Sequence, residues 1–218
     1  MAKNDGIKCE FIQLENGFSR INVKMKDFDG TEINGMGPSI DDQAVERLMS
    51  QLRKLNAGDM LVLAGSIPSS MSDSIYRDIM SELCGKGIEF VVDATKDLLL
   101  NVLEYHPFLI KPNNHELGEI FGVELKTRES VVPYARKLQE MGAKNVLVSM
   151  SGEGAVLLDE KSQVFMLPAP KGQLVNAVGA GDSMVAGFIA GWTKSKDSYH
   201  AFKMGLSAGS ASAFSELL

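Results

Sequence analysis

The sequence predicts an α/β protein with a mostly parallel sheet, and three observations support this fold class. From Pro38 onward, apolar runs that suit buried strands alternate with stretches of helical periodicity. Residues 10–36 instead contain short alternating segments separated by Asn-Gly and Asp-Gly pairs, which are typical of hairpin turns. The chain has 218 residues, 44% of them hydrophobic, which is enough for one sizeable core. We therefore expect a main unit over residues 37–218 and a small antiparallel sheet within residues 1–36.

The main unit is predicted to begin with an amphipathic helix in DQAVERLMSQLRKLNAG, residues 42–58. Its apolar residues recur on one face, and the segment ends at Gly58, a residue type that commonly follows a helix. The continuous apolar run MLVLAGS, residues 60–66, predicts a strand. MSDSIYRDIMSELCGKG, residues 71–87, returns to helical spacing and predicts a second helix.

Three further apolar runs predict strands: IEFVVDAT, PFLIKPN and NVLVSMS. Each run precedes a polar or glycine-containing turn and then helical sequence, and this order is typical of a parallel sheet covered by helices on both faces. GAVLLDEKSQVFMLPAP, residues 154–170, departs from the pattern because two apolar runs flank the polar stretch DEKSQ. We expect this segment to form a hairpin at the edge of the sheet.

Charge and composition exclude several classes of partner. The net charge is −6 and the basic residues are scattered, so we expect no nucleic-acid partner, which would require a basic face. No apolar run approaches the roughly 18 residues of a membrane span, and the N-terminal residues lack the pattern of a signal peptide. Cys9 and Cys84 are too few for a disulfide framework. Together these features predict a cytoplasmic protein without a membrane partner.

NAVGAGDSMVAGF, residues 176–188, joins a bare backbone turn to the start of an apolar helix. Its spacing matches neither the dinucleotide pattern G-x-G-x-x-G nor a P-loop. Gly179, Ala180 and Gly181 leave their amides sterically open at a helix N-terminus, which is an arrangement that suits an anion. Asp182 has two interpretations. It is either an acid that stabilises the helix N-terminus or a base that accepts a hydroxyl proton.

Four motifs resemble those of the ribokinase-like (PfkB) sugar kinases: GAGDSMVAGF, VLAGSIP, KPNNHELGEIFG and GLSAGSASAFSE. The resemblance extends from about Phe18 to Leu218. It implies a ribokinase-like three-layer sandwich with a small β-sheet lid, so that residues 1–36 are a remnant of the lid and residues 37–218 are the nucleotide-binding kinase core. Nothing before Phe11 resembles the family's first strand or its Gly-Gly motif, and we expect the N-terminal strands of the fold to be missing.

The resemblance also implies a reaction, namely transfer of the γ-phosphoryl group of ATP to a sugar phosphate with the help of Mg²⁺. Asp182 matches the family's catalytic base, and the turn from Gly179 to Gly181 matches its anion hole. The motifs are most similar to those of kinases that convert fructose 1-phosphate to fructose 1,6-bisphosphate. Two alternatives stay open: phosphorylation of tagatose 6-phosphate, and a truncated, non-catalytic module that binds nucleotide. Lid strands in this family often pair between subunits, which makes a homodimer possible.

Three residues of KPNNHE match family positions near the nucleotide. Lys111 corresponds to a lysine beside the phosphates, and Asn113 and Glu116 correspond to an N-x-x-E element that places Mg²⁺ through water. Asparagine followed three residues later by glutamate is also the pattern of a helix capping box, so both interpretations of this pair are retained.

Four more residues are candidates through the resemblance. Ser149 and Gly154 lie where the family has its nucleotide-binding turn, although a tight glycine turn entering a hairpin explains them equally well. Arg20 and Ser66 match positions that contact the phosphate of the sugar, a role that suits the planar donor fork of arginine. Asp93, at the end of a predicted strand, is a weaker candidate for the Mg²⁺ and phosphate network.

Overall fold

The computed structural model describes residues 6–24 and 32–216 of the chain. A six-stranded sheet forms its centre, and a separate two-stranded sheet precedes it. The strands are β1 Asn22–Lys24, β2 Glu32–Asn34, β3 Met60–Ala64, β4 Glu89–Asp93, β5 Leu109–Ile110, β6 Asn145–Ser149, β7 Ala155–Leu158 and β8 Val164–Leu167. The helices are α1 Asp42–Leu52, α2 Ile75–Leu83, α3 Lys96–Leu100, α4 Asn114–Phe121, α5 Arg128–Glu140, α6 Ala180–Ser195 and α7 Ser198–Ala213.

The central sheet has the strand order β3-β4-β5-β6-β7-β8. The strands from β3 to β6 are parallel, and β7 and β8 add to them as an antiparallel hairpin at one edge. This arrangement confirms the predicted mostly parallel sheet and the predicted edge hairpin. Ala64 pairs with Asp93, so the carboxyl ends of β3 and β4 lie level with each other.

Helices cover both faces of this sheet, as the apolar strand sequences predicted. Neighbouring side chains on one strand enter different cores: Val92 of β4 belongs to the core beneath α1 to α5, whereas Val91 belongs to the core beneath α6 and α7. Phe188 of α6 and Phe202 of α7 are fully buried in the second core. The result is a three-layer sandwich, because every central strand is apolar on both sides.

The small sheet pairs β1 with β2 in antiparallel register, with Val23 opposite Ile33. The predicted Asp-Gly turn at residues 29–30 lies outside the described residues. The alternating segment at residues 11–17 forms no strand, and our interpretation of it as part of the small sheet is wrong. Alternation creates a strand only where a partner edge accepts its hydrogen bonds. The division of the chain between residues 36 and 37 stays a prediction.

Helix α1 ends at Leu52, before the predicted end near Gly58. The chain continues in tight turns, in which the amide of Leu55 donates to the carbonyl of Leu52. The amide of Gly58 then donates to the carbonyl of Gly87. Gly58 therefore joins the loop before β3 to the loop before β4 instead of ending the helix. Over the described ranges, no helix combines the length and apolar character that crossing a membrane requires.

Candidate active site

The first turn of α6 presents backbone amides at the carboxyl end of the sheet. Gly179 adopts a left-handed conformation with φ of 74°, which only glycine adopts without strain, and the helix begins at the next residue. The amide of Ser183 makes the first helical bond, 2.8 Å to the carbonyl of Gly179. The amides of Ala180, Gly181 and Asp182 precede this bond and have no partner within the helix. Ala180 donates to the carbonyl of Ala177 at 3.3 Å, so Gly181 and Asp182 offer the more accessible amides.

Asp182 stands in this first turn, and its side chain is exposed. It lines a cleft of about 170 Å³ between α6 and β3. Asp93 supplies a second carboxylate to the cleft, and the remaining lining is apolar: Val62, Ala64, Val185, Ala186 and Ile189. Val62 is 43% exposed, because β3 pairs with β4 on one side and has no strand on its other side among the described residues. The cleft therefore offers an acid beside an open, mostly apolar wall.

Lys111 connects the sheet to the first turn of α6. Its Nζ lies 3.2 Å from Oδ1 of Asp93, and the lysine side chain is 8% exposed while the aspartate side chain is 19% exposed. A Cβ at Gly181 would lie only 3.2 Å from the same Nζ. The lysine ammonium thus lies close to Gly181 in the first turn of α6. Glycine at position 181 is what permits this approach.

The environment of Asp93 acts against its charge. Burial raises the pKa of its carboxyl above the ordinary value, and the Lys111 ammonium opposes that effect. The negative charges of Asp182 and Glu116 raise the pKa further. The carboxylates of Asp93, Asp182 and Glu116 and the ammonium of Lys111 therefore interact where β4 and β5 end and where α4 and α6 begin. Lys111 is the cation that offsets the charge of the buried Asp93.

The N-x-x-E element forms a complete capping box at the start of α4. Oδ1 of Asn113 accepts from the amide of Glu116 at 2.8 Å, and Oε2 of Glu116 accepts from the amide of Asn113 at 2.8 Å. This box uses one of the two carboxylate oxygens of Glu116. The described residues contain no cluster of three or more carboxylate, histidine or cysteine side chains with metal-site geometry. The donors present, the second oxygen of Glu116 and the carboxylate of Asp93, are the oxygen ligands that Mg²⁺ prefers.

Ser149 lies beside this capping box, and its amide donates to the carbonyl of Pro112 at 3.1 Å. Gly154 is buried at the start of the hairpin and has φ of 95°. A Cβ there would lie 2.1 Å from the carbonyl oxygen of Leu167 on β8. These contacts give Gly154 a structural role in joining the β6–β7 turn to β8, while Ser149 lies near the capping box of α4.

Gly154→Ala is expected to lower the free energy of unfolding by at least about 2 kcal/mol, because the alanine Cβ would clash with β8 in a backbone conformation that L-residues avoid. Urea unfolding followed by circular dichroism measures the effect. Gly152→Ala is the matched control, since a Cβ at position 152 meets nothing within 4 Å. Equal stability of the two variants would contradict this account of the turn.

The two residues predicted to contact the sugar phosphate lie together. Nη1 of Arg20 donates to Oγ of Ser66 at 2.7 Å, which joins the segment before β1 to the turn after β3. Both side chains are exposed. Because the serine oxygen accepts from the arginine, the serine hydroxyl keeps its own proton to donate, and the guanidinium keeps the protons that this bond does not use. The pair is suited to bind the oxygens of a phosphate group.

Sequence reasoning missed Tyr76 of α2. Its hydroxyl lies 2.8 Å from the carbonyl oxygen of Ala64 and 3.1 Å from that of Gly65, immediately before Ser66. In the sequence, Tyr76 follows the helical periodicity of a core-facing residue, and no local pattern distinguishes it. Asp93, a weaker candidate in the sequence, is the ion-pair partner of Lys111.

Comparison with known proteins connects this geometry to a family. The family model of the pfkB family carbohydrate kinases matches residues 1–217. The 1-phosphofructokinase of Bacillus subtilis (strain 168) is 46% identical over 216 residues, which cover 99% of this chain and 71% of that protein. The D-tagatose-1-phosphate kinase of Bacillus licheniformis is 31% identical, over 98% of this chain and 70% of the relative.

A solved structure shares the fold. The crystal structure of a putative phosphofructokinase from Staphylococcus aureus superposes with a TM-score of 0.88 at 39% sequence identity, and the match covers 100% of this chain and 70% of that one. The family model and the 46% identity agree with the order of motifs around Asp182. By sequence, by fold and by the arrangement of its turns, this chain belongs to the pfkB family of carbohydrate kinases.

Proposed function

We propose that this chain transfers the γ-phosphoryl group of ATP to fructose 1-phosphate and so forms fructose 1,6-bisphosphate and ADP. The observation that carries the proposal is the position of Asp182, an exposed acid in the first turn of α6 that shares a cleft with Asp93. We place the reaction in the cytoplasm, which suits the free thiols of Cys9 and Cys84.

In this reaction Asp182 accepts the proton of the sugar's C6 hydroxyl. The hydroxyl oxygen forms a new bond to the γ-phosphorus, and the bond from that phosphorus to the β–γ bridging oxygen breaks. The electron pair of the broken bond leaves with ADP, and Asp182 later releases the proton to solvent. Catalysis of this kind depends on positioning and on electrostatic stabilisation of the transferring group.

The amides of the turn from Gly179 to Gly181 and the Lys111 ammonium supply positive potential where the phosphoryl group passes. Asn113, Glu116 and Asp93 are the residues that would hold Mg²⁺, with water completing the ligand set. When bound, Mg²⁺ neutralises negative charge on the nucleotide phosphates. Asp93 would also keep Lys111 in place while no anion is bound.

The acceptor is proposed from two independent features. The pair of Arg20 and Ser66 offers donors to the phosphate group that the sugar already carries. The Bacillus subtilis relative at 46% identity is named for 1-phosphofructokinase activity. The tagatose kinase among the relatives is named for the 1-phosphate, so it differs from the tagatose 6-phosphate acceptor suggested by the sequence motifs.

The test is a coupled ADP-release assay on this chain with MgATP and four separate acceptors: fructose 1-phosphate, tagatose 1-phosphate, fructose 6-phosphate and tagatose 6-phosphate. We expect the highest kcat/KM with fructose 1-phosphate. A higher value with another acceptor would reassign the substrate. ATP binding by calorimetry without turnover on any acceptor would overturn the proposal in favour of a non-catalytic nucleotide-binding module.

We also propose that the chain forms a homodimer through the β1–β2 sheet. Three apolar side chains, Ile21, Val23 and Ile33, share one face of this sheet, and each is 47% or more exposed. An exposed apolar strand face of this kind is typical of an interaction surface.

Ile33→Lys is expected to reduce the mass of the protein in solution to that of the monomer, because a desolvated charge would oppose pairing of the two sheets. Light scattering after size exclusion measures the mass. Val62→Lys serves as the comparison at the open edge of β3. If Val62→Lys dissociates the protein and Ile33→Lys does not, the β3 edge is the interface and the lid proposal is wrong.

A further inference from the structure

The turn that follows β3 is held by a side chain from another element. Tyr76 lies in the first turn of α2, and both carbonyl oxygens that its hydroxyl meets, those of Ala64 and Gly65, accept from it. A carbonyl cannot donate, so the single hydroxyl proton is shared between the two oxygens. Burial is the main effect that raises the pKa of the Tyr76 hydroxyl above its ordinary value, and the negative charge of Asp93 raises it further. The hydroxyl therefore remains a donor at neutral pH.

The backbone leaves the extended conformation of β3 at Gly65. Gly65 has φ of 92°, a conformation open to glycine and rarely adopted by other residues. Its amide makes a long bond, 3.3 Å, to the carbonyl of Asp93. On its outer side β3 pairs with no strand among the described residues, so the bonds from strand to strand at this level come from β4. The Tyr76 hydroxyl satisfies the carbonyls of Ala64 and Gly65 at the point where the chain leaves the strand.

The helix that carries Tyr76 is well anchored. Ile75, Ile79 and Met80 of α2 are buried in the core beneath α1 to α5. The Tyr76 ring packs against the same core. Because α2 is anchored in this way, the Tyr76 hydroxyl has a fixed position relative to the sheet. Its two hydrogen bonds hold the carbonyls of the turn at that position.

We propose that Tyr76 is a positioning residue for the sugar phosphate. By holding the carbonyls of Ala64 and Gly65, it fixes the backbone of Ser66, so that the Ser66 hydroxyl and the Arg20 guanidinium present a preorganised pair of donors to the phosphate group of a ketose 1-phosphate. The inference rests on the proposed function, which supplies the sugar phosphate as ligand. It predicts that Tyr76 affects the acceptor and leaves the nucleotide unaffected, because Lys111 and the turn at Gly181 lie on other elements.

Tyr76→Phe tests the proposal, because it keeps the ring in the core and removes the hydroxyl alone. We expect KM for fructose 1-phosphate to rise about tenfold, the size of effect that loss of one or two neutral hydrogen bonds produces. The value of kcat and KM for ATP should stay within about twofold. Tyr199→Phe, at an exposed tyrosine of α7, is the matched control and should change none of these values.

A double-mutant cycle with Ser66→Ala separates positioning from simple stabilisation. If Tyr76 acts through Ser66, the double variant should bind fructose 1-phosphate about as weakly as Ser66→Ala alone. Additive losses would show that the two residues act independently and would overturn the proposal. So would equal increases in KM for both substrates, or a lowered Tm without any change in KM.

Calorimetry keeps this test separate from that of the proposed function. Titration with fructose 1-phosphate gives a Kd that does not depend on turnover. Wild-type binding without turnover would reject the proposed reaction, while weaker binding by Tyr76→Phe would still support its positioning role. Turnover by the wild type with unchanged KM and Kd in Tyr76→Phe would reject the positioning role alone. Failure of the wild type to bind fructose 1-phosphate would reject both.

Discussion

Asp182→Asn is expected to lower kcat with fructose 1-phosphate by about 10²- to 10⁴-fold, the usual contribution of a positioned general base. Asparagine is nearly isosteric with aspartate but does not accept the hydroxyl proton. The side chain is exposed and in the first turn of α6, so the substitution should leave the fold intact. Steady-state ADP release measures kcat, and calorimetry with ATP checks that the nucleotide still binds.

Asp42→Asn is the control for this experiment. Asp42 is also an exposed acid in the first turn of a helix, α1, but it is absent from the lining of the cleft. It therefore reproduces any loss of helix-dipole stabilisation without touching the site. If Asp182→Asn retains near-normal kcat, Asp182 is only a helix-stabilising acid. Equal losses of kcat in both variants would likewise contradict its role as the base.

Lys111→Met is expected to lower the free energy of unfolding by about 3 kcal/mol at neutral pH, the cost typical of removing one partner from a buried ion pair. The methionine fills much of the same volume but leaves Asp93 without its cation. The lysine and aspartate side chains are only 8% and 19% exposed, so in the variant little water can solvate the unpaired carboxylate of Asp93. Urea unfolding of the wild type and the variant measures the difference.

The cost of Lys111→Met should depend on pH. Burial already raises the pKa of Asp93 above its ordinary value of 3.8, and Lys111 is the largest influence that opposes this increase. Without the lysine the pKa of folded Asp93 rises further. A group with a raised pKa in the folded state favours folding below its unfolded pKa and loses that contribution as pH rises through the folded pKa. The destabilisation should therefore be small near about pH 4 and grow toward neutral pH.

Lys126→Met provides the matched comparison for this pH dependence. Lys126 pairs with Glu124 at 3.0 Å, and both side chains are more than 70% exposed. Exposed pairs of this kind contribute about 0–1 kcal/mol, so the control should change stability little at any pH. Equal pH profiles for Lys111→Met and the wild type would show that the charge of Asp93 is compensated by something other than Lys111.

Local patterns in the sequence predicted much of this molecule. The apolar runs located β3, β4 and β6, and the polar stretch between two runs located the hairpin of β7 and β8. The small residues before Asp182 predicted the start of α6. The Asn113 and Glu116 spacing predicted the capping box, which forms in full. Each of these features involves residues within a few positions of one another, so the backbone alone brings them together.

Prediction failed where structure depends on a distant partner. The alternating segment at residues 11–17 has the spacing of a strand but forms none. PFLIKPN predicted a longer strand than β5, which pairs only at Leu109 and Ile110. The predicted role of Gly58 at the end of α1 was wrong, because Gly58 bonds to Gly87 of another loop.

The sequence by itself determined the order of the elements, the glycine-rich turn at the start of α6 and the acid that follows it. The tertiary structure decided which side chains meet: Asp93 with Lys111, Tyr76 with the turn after β3, and Arg20 with Ser66, which lie 46 residues apart. The physical reason is that periodicity shows which face of an element is buried, whereas the register of parallel strands and the packing of helices on them determine what that face contacts.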